Sequence, residues 1–337
     1  MAEAGLPVVL SGLRPTGRVH LGNYFGAVKN WVDLEESRKY RCFFFVADLH
    51  ALTTDYADTE ALAANTREAV LDWLAVGLNP EGATVFLQSR VPEHAELALY
   101  FSMITPLGWL ERVPSYKDQI EQLRSRDLGT HGFLGYPVLM TADIALYRAN
   151  LVPVGEDQAS HLEICREIVR RFNGLYGEVF PEPKALYTPT PRVNGIDGRK
   201  MSKSYNNTIG ITESAEGVSE KVMAMVTDPA RVRRRDPGNP DNCNLFPFHQ
   251  LFSPPNEVEV VDVECRTAAR GCVDCKLHLI GNLNAALEPF RRKREELLSA
   301  PGDVVRDVLH AGDRKARAVA KETMENVRAA VKLSPEP

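Results

Sequence analysis

Short apolar runs alternate with longer stretches of helical spacing through the first half of the chain. Pro7 to Leu13 predicts a strand, Leu21 to Ser37 a helix, Arg41 to Ala47 a fully buried strand, Asp58 to Gly77 a second helix and Thr84 to Gln88 a third strand. Strands that recur between helices build a parallel sheet covered on both faces, so the expected fold is α/β, a Rossmann-like doubly wound parallel sheet. Such a sheet places its ligand crevice at the carboxyl ends of the strands. From about Glu213 onward the strand signals fade. A Pro- and Asn-rich irregular stretch, Asp228 to Asn256, precedes helical spacing at Leu283 to Leu298 and Val304 to Val331, so a mainly helical part follows the sheet.

Composition narrows the class without naming a chemistry. With 337 residues the chain has room for one large domain and a smaller one. Hydrophobic residues at 44% and charged residues at 25% argue against a largely disordered or membrane-spanning protein. The longest apolar run, Cys42 to Ala47, is far shorter than the roughly 18 residues of a membrane span. Glu3 stands where an export signal would carry Lys or Arg, which places the expected protein in the cytoplasm and off the membrane. The net charge of -5 and a pI near 6.0 give no global sign of nucleic-acid binding. Locally, however, Arg231, Arg233, Arg234 and Arg235 crowd beside Asp236, a cluster that can meet phosphates or simply be a solvated loop.

Two segments carry candidate phosphate chemistry. After the first strand, Ser11-Gly12-Leu13-Arg14-Pro15-Thr16-Gly17-Arg18-Val19-His20-Leu21-Gly22-Asn23 makes a tight turn into a helix whose N-terminus suits an anion. Gly22 lets a base or ribose approach the backbone closely. The second segment, Gly198-Arg199-Lys200-Met201-Ser202-Lys203-Ser204, is a glycine-led loop with three cations, able to neutralise charge on a leaving pyrophosphate. Further along, Tyr136, Met140 and Asp143 fall at i, i+4 and i+7 on one helix face, setting a carboxylate beside an aromatic ring and a thioether. Such an acceptor matches an indole N–H, and a phenol could use it equally.

The two loops together resemble the HIGH and KMSKS signatures of class I aminoacyl-tRNA synthetases, with His20-Leu21-Gly22-Asn23 as a variant of the first and Lys200 to Ser204 matching the second letter for letter. The middle of the chain, Tyr136 to Asp143 and Val152-Pro153-Val154-Gly155-Glu156-Asp157-Gln158 with His161, is most similar to the bacterial-type tryptophanyl enzymes. The resemblance implies a tryptophan-tRNA ligase that uses ATP with Mg²⁺ to make tryptophanyl-adenylate and transfers it to tRNA(Trp). It implies a tryptophan site of Leu10, His50, Tyr136, Met140, Asp143, Val154 and Gln158. ATP would be bound by Arg14, Thr16, Gly22, Asn23, Gly155, Asp157, Lys200, Met201, Ser202 and Lys203, with His20, Asn23, Lys200 and Lys203 acting on the reaction. Leu10 stands where the family often has an aromatic residue, and Arg14 where glutamine is common. A homodimer is implied as well. The closest competing reading is a tyrosyl-tRNA synthetase; one from another class is a non-catalytic, redox-sensitive RNA-binding paralogue.

Six cysteines in such a chain are not a disulfide framework. Cys42 and Cys165 lie in apolar contexts and read as core. Cys243, Cys265, Cys272 and Cys275, with 21, 6 and 2 residues between them, form a metal-site pattern suited to Zn²⁺ or an iron-sulfur cubane. The spacing resembles that of a subset of tryptophanyl enzymes holding a [4Fe-4S] cluster, in which the first gap is one residue longer. The implied organisation is a catalytic domain at 1–204 and a helical anticodon-binding domain at 205–337, with the four-cysteine site at 243–275.

Overall fold

A computed structural model describes residues 5–113, 129–155, 159–187 and 193–333. Five strands, β1 (Val8–Leu13), β2 (Arg41–Val46), β3 (Ala83–Leu87), β4 (Leu151–Val154) and β5 (Lys184–Tyr187), form one sheet in the order β3-β2-β1-β4-β5. Every pairing is parallel. The order reverses between β1 and β4, which puts the ligand crevice at the carboxyl ends of those two strands. The expected Rossmann-like sheet is therefore present, with β4 and β5 added to the three strands legible from spacing.

The helix after β1, here α1, is built from α-helical Leu21–Asn23, a π-turn at Tyr24–Val28 and α-helical Lys29–Glu36. It is followed by α2 (Asp48–Asp55), α3 (Leu62–Ala75), α4 (Glu93–Ile104), α5 (Tyr136–Leu146) and α6 (Ala159–Tyr176). Because β2 is buried on both faces, Arg41-Cys42-Phe43-Phe44-Phe45-Val46 is apolar almost throughout rather than alternating. Cys42, Phe44 and Val46 join Val9, Trp31 and Trp73 in the layer under α1 and α3. Phe43 and Phe45 join Leu10, Phe86 and the helices α4, α5 and α6 on the other side.

The helical part comprises α7 (Ala215–Ala224), α8 (Phe246–Phe252), α9 (Pro255–Arg266), α10 (Cys272–Ser299) and α11 (Val304–Ala330). The stretch expected to be irregular up to Asn256 thus contains α8 and the start of α9. The helix expected from Leu283 starts instead at Cys272, where the Asp274 side chain reaches back to accept the Gly271 N–H at 3.3 Å. Leu279, Leu283 and Leu287 of α10 enter the layer that holds Trp31 and Trp73. The last helix, α11, returns to the sheet and lies along β3. A Cβ on Gly312 would sit 1.7 Å from the Val85 carbonyl oxygen, so only glycine permits this approach. Asp313 next to it accepts the Leu87 N–H at 3.0 Å, satisfying a donor of the edge strand. No described helix is long and apolar enough to cross a membrane.

Candidate active site

The first motif leaves β1 at Leu13 and enters α1 at His20, whose ring caps the helix by accepting the Asn23 N–H at Nδ1, 3.3 Å away. With Nδ1 accepting, the ring proton sits on Nε2, which is then a donor. Burial, with the Lys203 cation as a lesser cause, lowers the His20 pKa to about 4, so the imidazole is neutral near pH 7. The π-turn at Tyr24–Val28 follows immediately, a distortion often found at functional sites.

The second motif folds against the first. Leu21 donates its N–H to Ile209 and Ile211 donates to Val19, at 2.9 and 3.0 Å. The Gly22 N–H meets the Met201 sulfur at 3.4 Å, and Lys203 Nζ donates to the Thr16 carbonyl at 2.5 Å. Met201 is accordingly buried while Lys200 is exposed. Burial lowers the Lys203 pKa to about 8, against an opposing pull from Asp72. The loop is held in shape by Asn207, almost wholly buried, which accepts the Ser202 N–H at 2.8 Å and donates to Asp197 and to the Lys200 carbonyl. Asn207 stands three residues beyond the motif, and nothing in the spacing singles it out.

Arg14 is turned away from the loop. Its guanidinium donates to Thr54 and pairs with Asp55 at 2.6 Å. Thr16 is exposed and presents its carbonyl to Lys203.

Across the crevice, Asp143 on α5 is buried and accepts three bonds: His94 Nδ1 at 2.6 Å and Gln88 Nε2 at 2.7 Å on Oδ1, and His50 Nε2 at 2.8 Å on Oδ2. Burial is the largest influence and pushes its carboxyl up, but the His50 and His94 contacts outweigh it and leave the pKa lowered. A carboxylate offers about four lone-pair sites, so one remains for an incoming donor. His94 and Gln88 are closed off from solvent, whereas the His50 side chain keeps 14% exposure, which marks the open side. His94 is fixed in turn by the Tyr147 hydroxyl at 2.8 Å. Sequence reasoning missed Gln88, His94 and Tyr147. The only available signal was a histidine and a glutamine at the carboxyl side of β3, where the crevice lies.

Tyr136 and Met140 are half-buried on the same helix as Asp143. The Tyr136 hydroxyl meets His161 Nε2 at 2.5 Å, which joins α5 to the segment after β4. Val154 and Gly155 close β4 at the switch point, half-buried. Leu10 is 2% exposed within the apolar layer around Phe43 and Phe45. Asp157 and Gln158 lie outside the described residues.

The four cysteines are free thiols that influence one another. Cys272 and Cys275 occupy the first turn of α10 rather than a polar loop. Burial first, then the fields of Cys243, Cys265 and Cys272, push the Cys275 thiol up to about 12. The Cys243 and Cys265 thiols are raised by burial and by neighbouring cysteines in the same way. Arg231 turns inward, its Nη1 4.0 Å from the Cys265 sulfur and its buried Nε without a hydrogen-bond partner. His249, fully buried, sets Nε2 3.3 Å from the Cys275 sulfur. Among the described residues no group of three or more His, Cys, Asp or Glu side chains is arranged to hold a metal ion. Of the expected phosphate cluster, Arg231 turns inward, its Nη2 donating to the Arg234 and Arg270 carbonyls at 2.8 and 2.7 Å, Arg234 lies 3.6 Å from Asp274, and Arg233 and Arg235 face solvent.

The family described as tRNA synthetases class I (W and Y) matches residues 4–288. Over 326 residues the chain is 51% identical to the tryptophan–tRNA ligase of Thermotoga maritima, covering 96% of this chain and 99% of that protein. It is 48% identical to the corresponding ligase of Deinococcus radiodurans over 323 residues, with 95% and 97% covered. Among solved structures it is similar to the tryptophanyl-tRNA synthetase of Campylobacter jejuni complexed with ADP and tryptophan, at a TM-score of 0.86 and 38% identity, with 96% of this chain and 99% of that one covered.

Proposed function

The chain belongs to the class I tRNA synthetases for tryptophan and tyrosine, and we infer from that membership that it is a tryptophan-tRNA ligase, activating tryptophan with ATP and esterifying it to tRNA(Trp). The observation that carries the choice of amino acid is the full-length match to tryptophan–tRNA ligases at about half identity. Asp143, with one lone-pair site open beside His50, supports it as a partner for the indole N–H.

In this reading Leu10, His50, Tyr136, Met140, Asp143, Val154 and Gln158 form the tryptophan site. Arg14, Thr16, Gly22, Asn23, Gly155, Asp157, Lys200, Met201, Ser202 and Lys203 form the ATP site. Arg14 contributes by bracing the turn through Asp55. No side chain acts as nucleophile. The tryptophan carboxylate attacks the α-phosphorus in line, its bond to the bridging oxygen breaks and pyrophosphate leaves with the electron pair. Catalysis is positioning plus charge stabilisation. Lys203, and Lys200 once the loop closes, neutralise the departing pyrophosphate, while neutral His20 offers its Nε2–H to a phosphate oxygen. Mg²⁺ bound together with the nucleotide would supply further charge neutralisation.

Residues 205–337 meet the tRNA anticodon through surfaces other than α11 and the buried stretch of α10, both of which pack on the catalytic domain 1–204. Cys243, Cys265, Cys272 and Cys275 hold a [4Fe-4S] cluster, with Zn²⁺ as the second candidate. Four free thiols drawn together, three of them (Cys243, Cys265 and Cys275) raised by burial and by neighbouring cysteines, beside an inward guanidinium, suit a group that would keep them as thiolates. Bound there, the group would supply a structural cross-link between α9, α10 and the loop before α8. The chain works in the cytoplasm as a homodimer. Leu99 and Met103, exposed four residues apart on α4 with Leu107 beyond, give an apolar face for a second copy.

Amino-acid-dependent exchange of labelled pyrophosphate into ATP tests the reading. Exchange with tryptophan and not tyrosine is expected. Exchange with tyrosine alone would reassign the pocket, and exchange with neither would favour a non-catalytic RNA-binding role.

A further inference from the structure

Asp72, on α3, is fully buried and belongs to neither ATP motif, yet it touches the frame of both. Its Oδ2 accepts the N–H of Val19, the residue before the His20 cap, at 2.7 Å. Its Oδ1 accepts the Thr212 hydroxyl at 3.0 Å, one residue beyond the strand-like pairing of Ile209 and Ile211 with the first motif. The same oxygen accepts Nη1 of Arg294 from α10 at 2.5 Å, while Nη2 of Arg294 reaches Glu68 at 2.5 Å. Arg18 closes the ring by donating to Thr212 at 3.1 Å and lying 3.6 Å from Glu68.

A buried carboxylate that only stabilised the fold would be a poor device, since desolvating such a pair cancels most of its Coulomb gain. Here the bonds fix something specific. Val19 and Thr212 lie on the two chain segments whose separation sets the distance between His20 and Lys203, and Arg294 fixes the carboxylate from a third element. We propose that Asp72 and Arg294 are positioning residues for tryptophan activation, holding the two ATP motifs at the spacing the transition state requires. The inference rests on the reading of those motifs as the ATP site. Asp72 also acts at a distance on Lys203, whose ammonium it stabilises.

The test measures tryptophan-dependent pyrophosphate exchange in Asp72→Asn, Arg294→Gln, the double variant, Arg294→Lys and Lys203→Ala. The single neutral variants should lose about ten- to a hundredfold in kcat, with KM for tryptophan held within about threefold, because a small misplacement of reacting groups costs that much. The double variant should be no worse than the weaker single, the signature of residues that act as one unit, and Arg294→Lys should recover part of the rate. In Asp72→Asn the alkaline fall of kcat/KM for ATP should move to lower pH, since the stabilising charge near Lys203 is gone; a merely structural role would leave it in place. Gly312→Ala serves as a destabilised reference whose profile should not move. Unchanged kcat in a folded Asp72→Asn, or additive losses in the double variant, overturns the proposal. Should Lys203→Ala exchange at the normal rate, the assignment of the ATP loop fails instead, and the two failures are separable.

Discussion

The ammonium of Lys203 donates to the backbone carbonyl of Thr16, so the only partly buried cation of the KMSKS loop rests on the turn that precedes the first helix. In the proposed reading the ammonium leaves this contact to meet the nucleotide's phosphates. Lys203→Ala should therefore slow pyrophosphate exchange about 10²- to 10³-fold, the usual cost of losing one preorganised charge donor. Tryptophan binding, measured by fluorescence titration, should change by no more than about twofold, because the proposed tryptophan pocket around Asp143 lies across the crevice. A parallel loss of tryptophan affinity would show that the loop shapes both sites.

The same lysine sets a pH limit. Its pKa is lowered to about 8, so the charged form dominates below that pH and disappears above it. A lowered lysine pKa means protonation is lost earlier on the alkaline side. In the free enzyme, kcat/KM for ATP should fall as pH rises through about 8, whereas kcat should fall at higher pH because bound phosphates restore the charge. His20, with a pKa of about 4, is already neutral and adds no limb between pH 5 and 8. A profile flat to pH 10 would remove Lys203 from the reaction.

Asp143 predicts selectivity against an analogue that lacks the indole donor. With three bonds already accepted, the carboxylate has one site for the substrate, and filling the pocket without a donor leaves it unmet. The benzothiophene analogue of tryptophan, with sulfur in place of N–H, should lose roughly 10²-fold or more in kcat/KM for exchange. Equal use of both amino acids would place the indole N–H elsewhere.

Much of this was legible in the chain, for reasons that differ by element. β1, β2 and β3 announced themselves because β2 is apolar on both faces and its neighbours are bounded by turns. β4 did not, since Leu151–Val154 is four residues long with Pro153 inside and only half-buried, and β5 is equally short. His20 and Lys203 were found through local motifs. Asp72 and Arg294 lie 222 positions apart, and His94 reaches Asp143 across 49, so no window along the sequence could pair them. The first three turns of α10 were hidden because Cys272 to Asn282 mixes polar residues with Gly281, and the helix is held there by the Asp274 contact to Gly271 and by Leu279.

Gly312 tests how α11 is docked. An added methyl would meet the Val85 carbonyl well inside contact distance, and backbone on both sides leaves little room to yield. Gly312→Ala should destabilise by about 1–3 kcal/mol, as overpacking does, read as a lowered urea midpoint with an unchanged m-value. Exchange activity at 25 °C should survive, because the helix packs on β3, two strands from the switch point. An unchanged midpoint would mean that α11 can lift from the sheet without cost.

The proposed thiol site predicts that the two half-reactions can be separated. Cys272 and Cys275 sit at the start of α10, while Leu279, Leu283 and Leu287 anchor the rest of that helix in the core and Arg294 meets Asp72 near its end. Removing the thiols loosens the first turns, together with the loop before α8 and the end of α9 that bear Cys243 and Cys265, but leaves the anchored stretch in place. Cys272→Ser with Cys275→Ser should thus reduce aminoacylation of tRNA at least about tenfold by raising KM for tRNA, while pyrophosphate exchange stays within about threefold. Protein purified without oxygen should contain about four iron and four sulfide per chain, and the variant neither. One zinc per chain and no sulfide would support the second candidate, whereas loss of both half-reactions together would show that α10 depends on its first turn to reach Asp72.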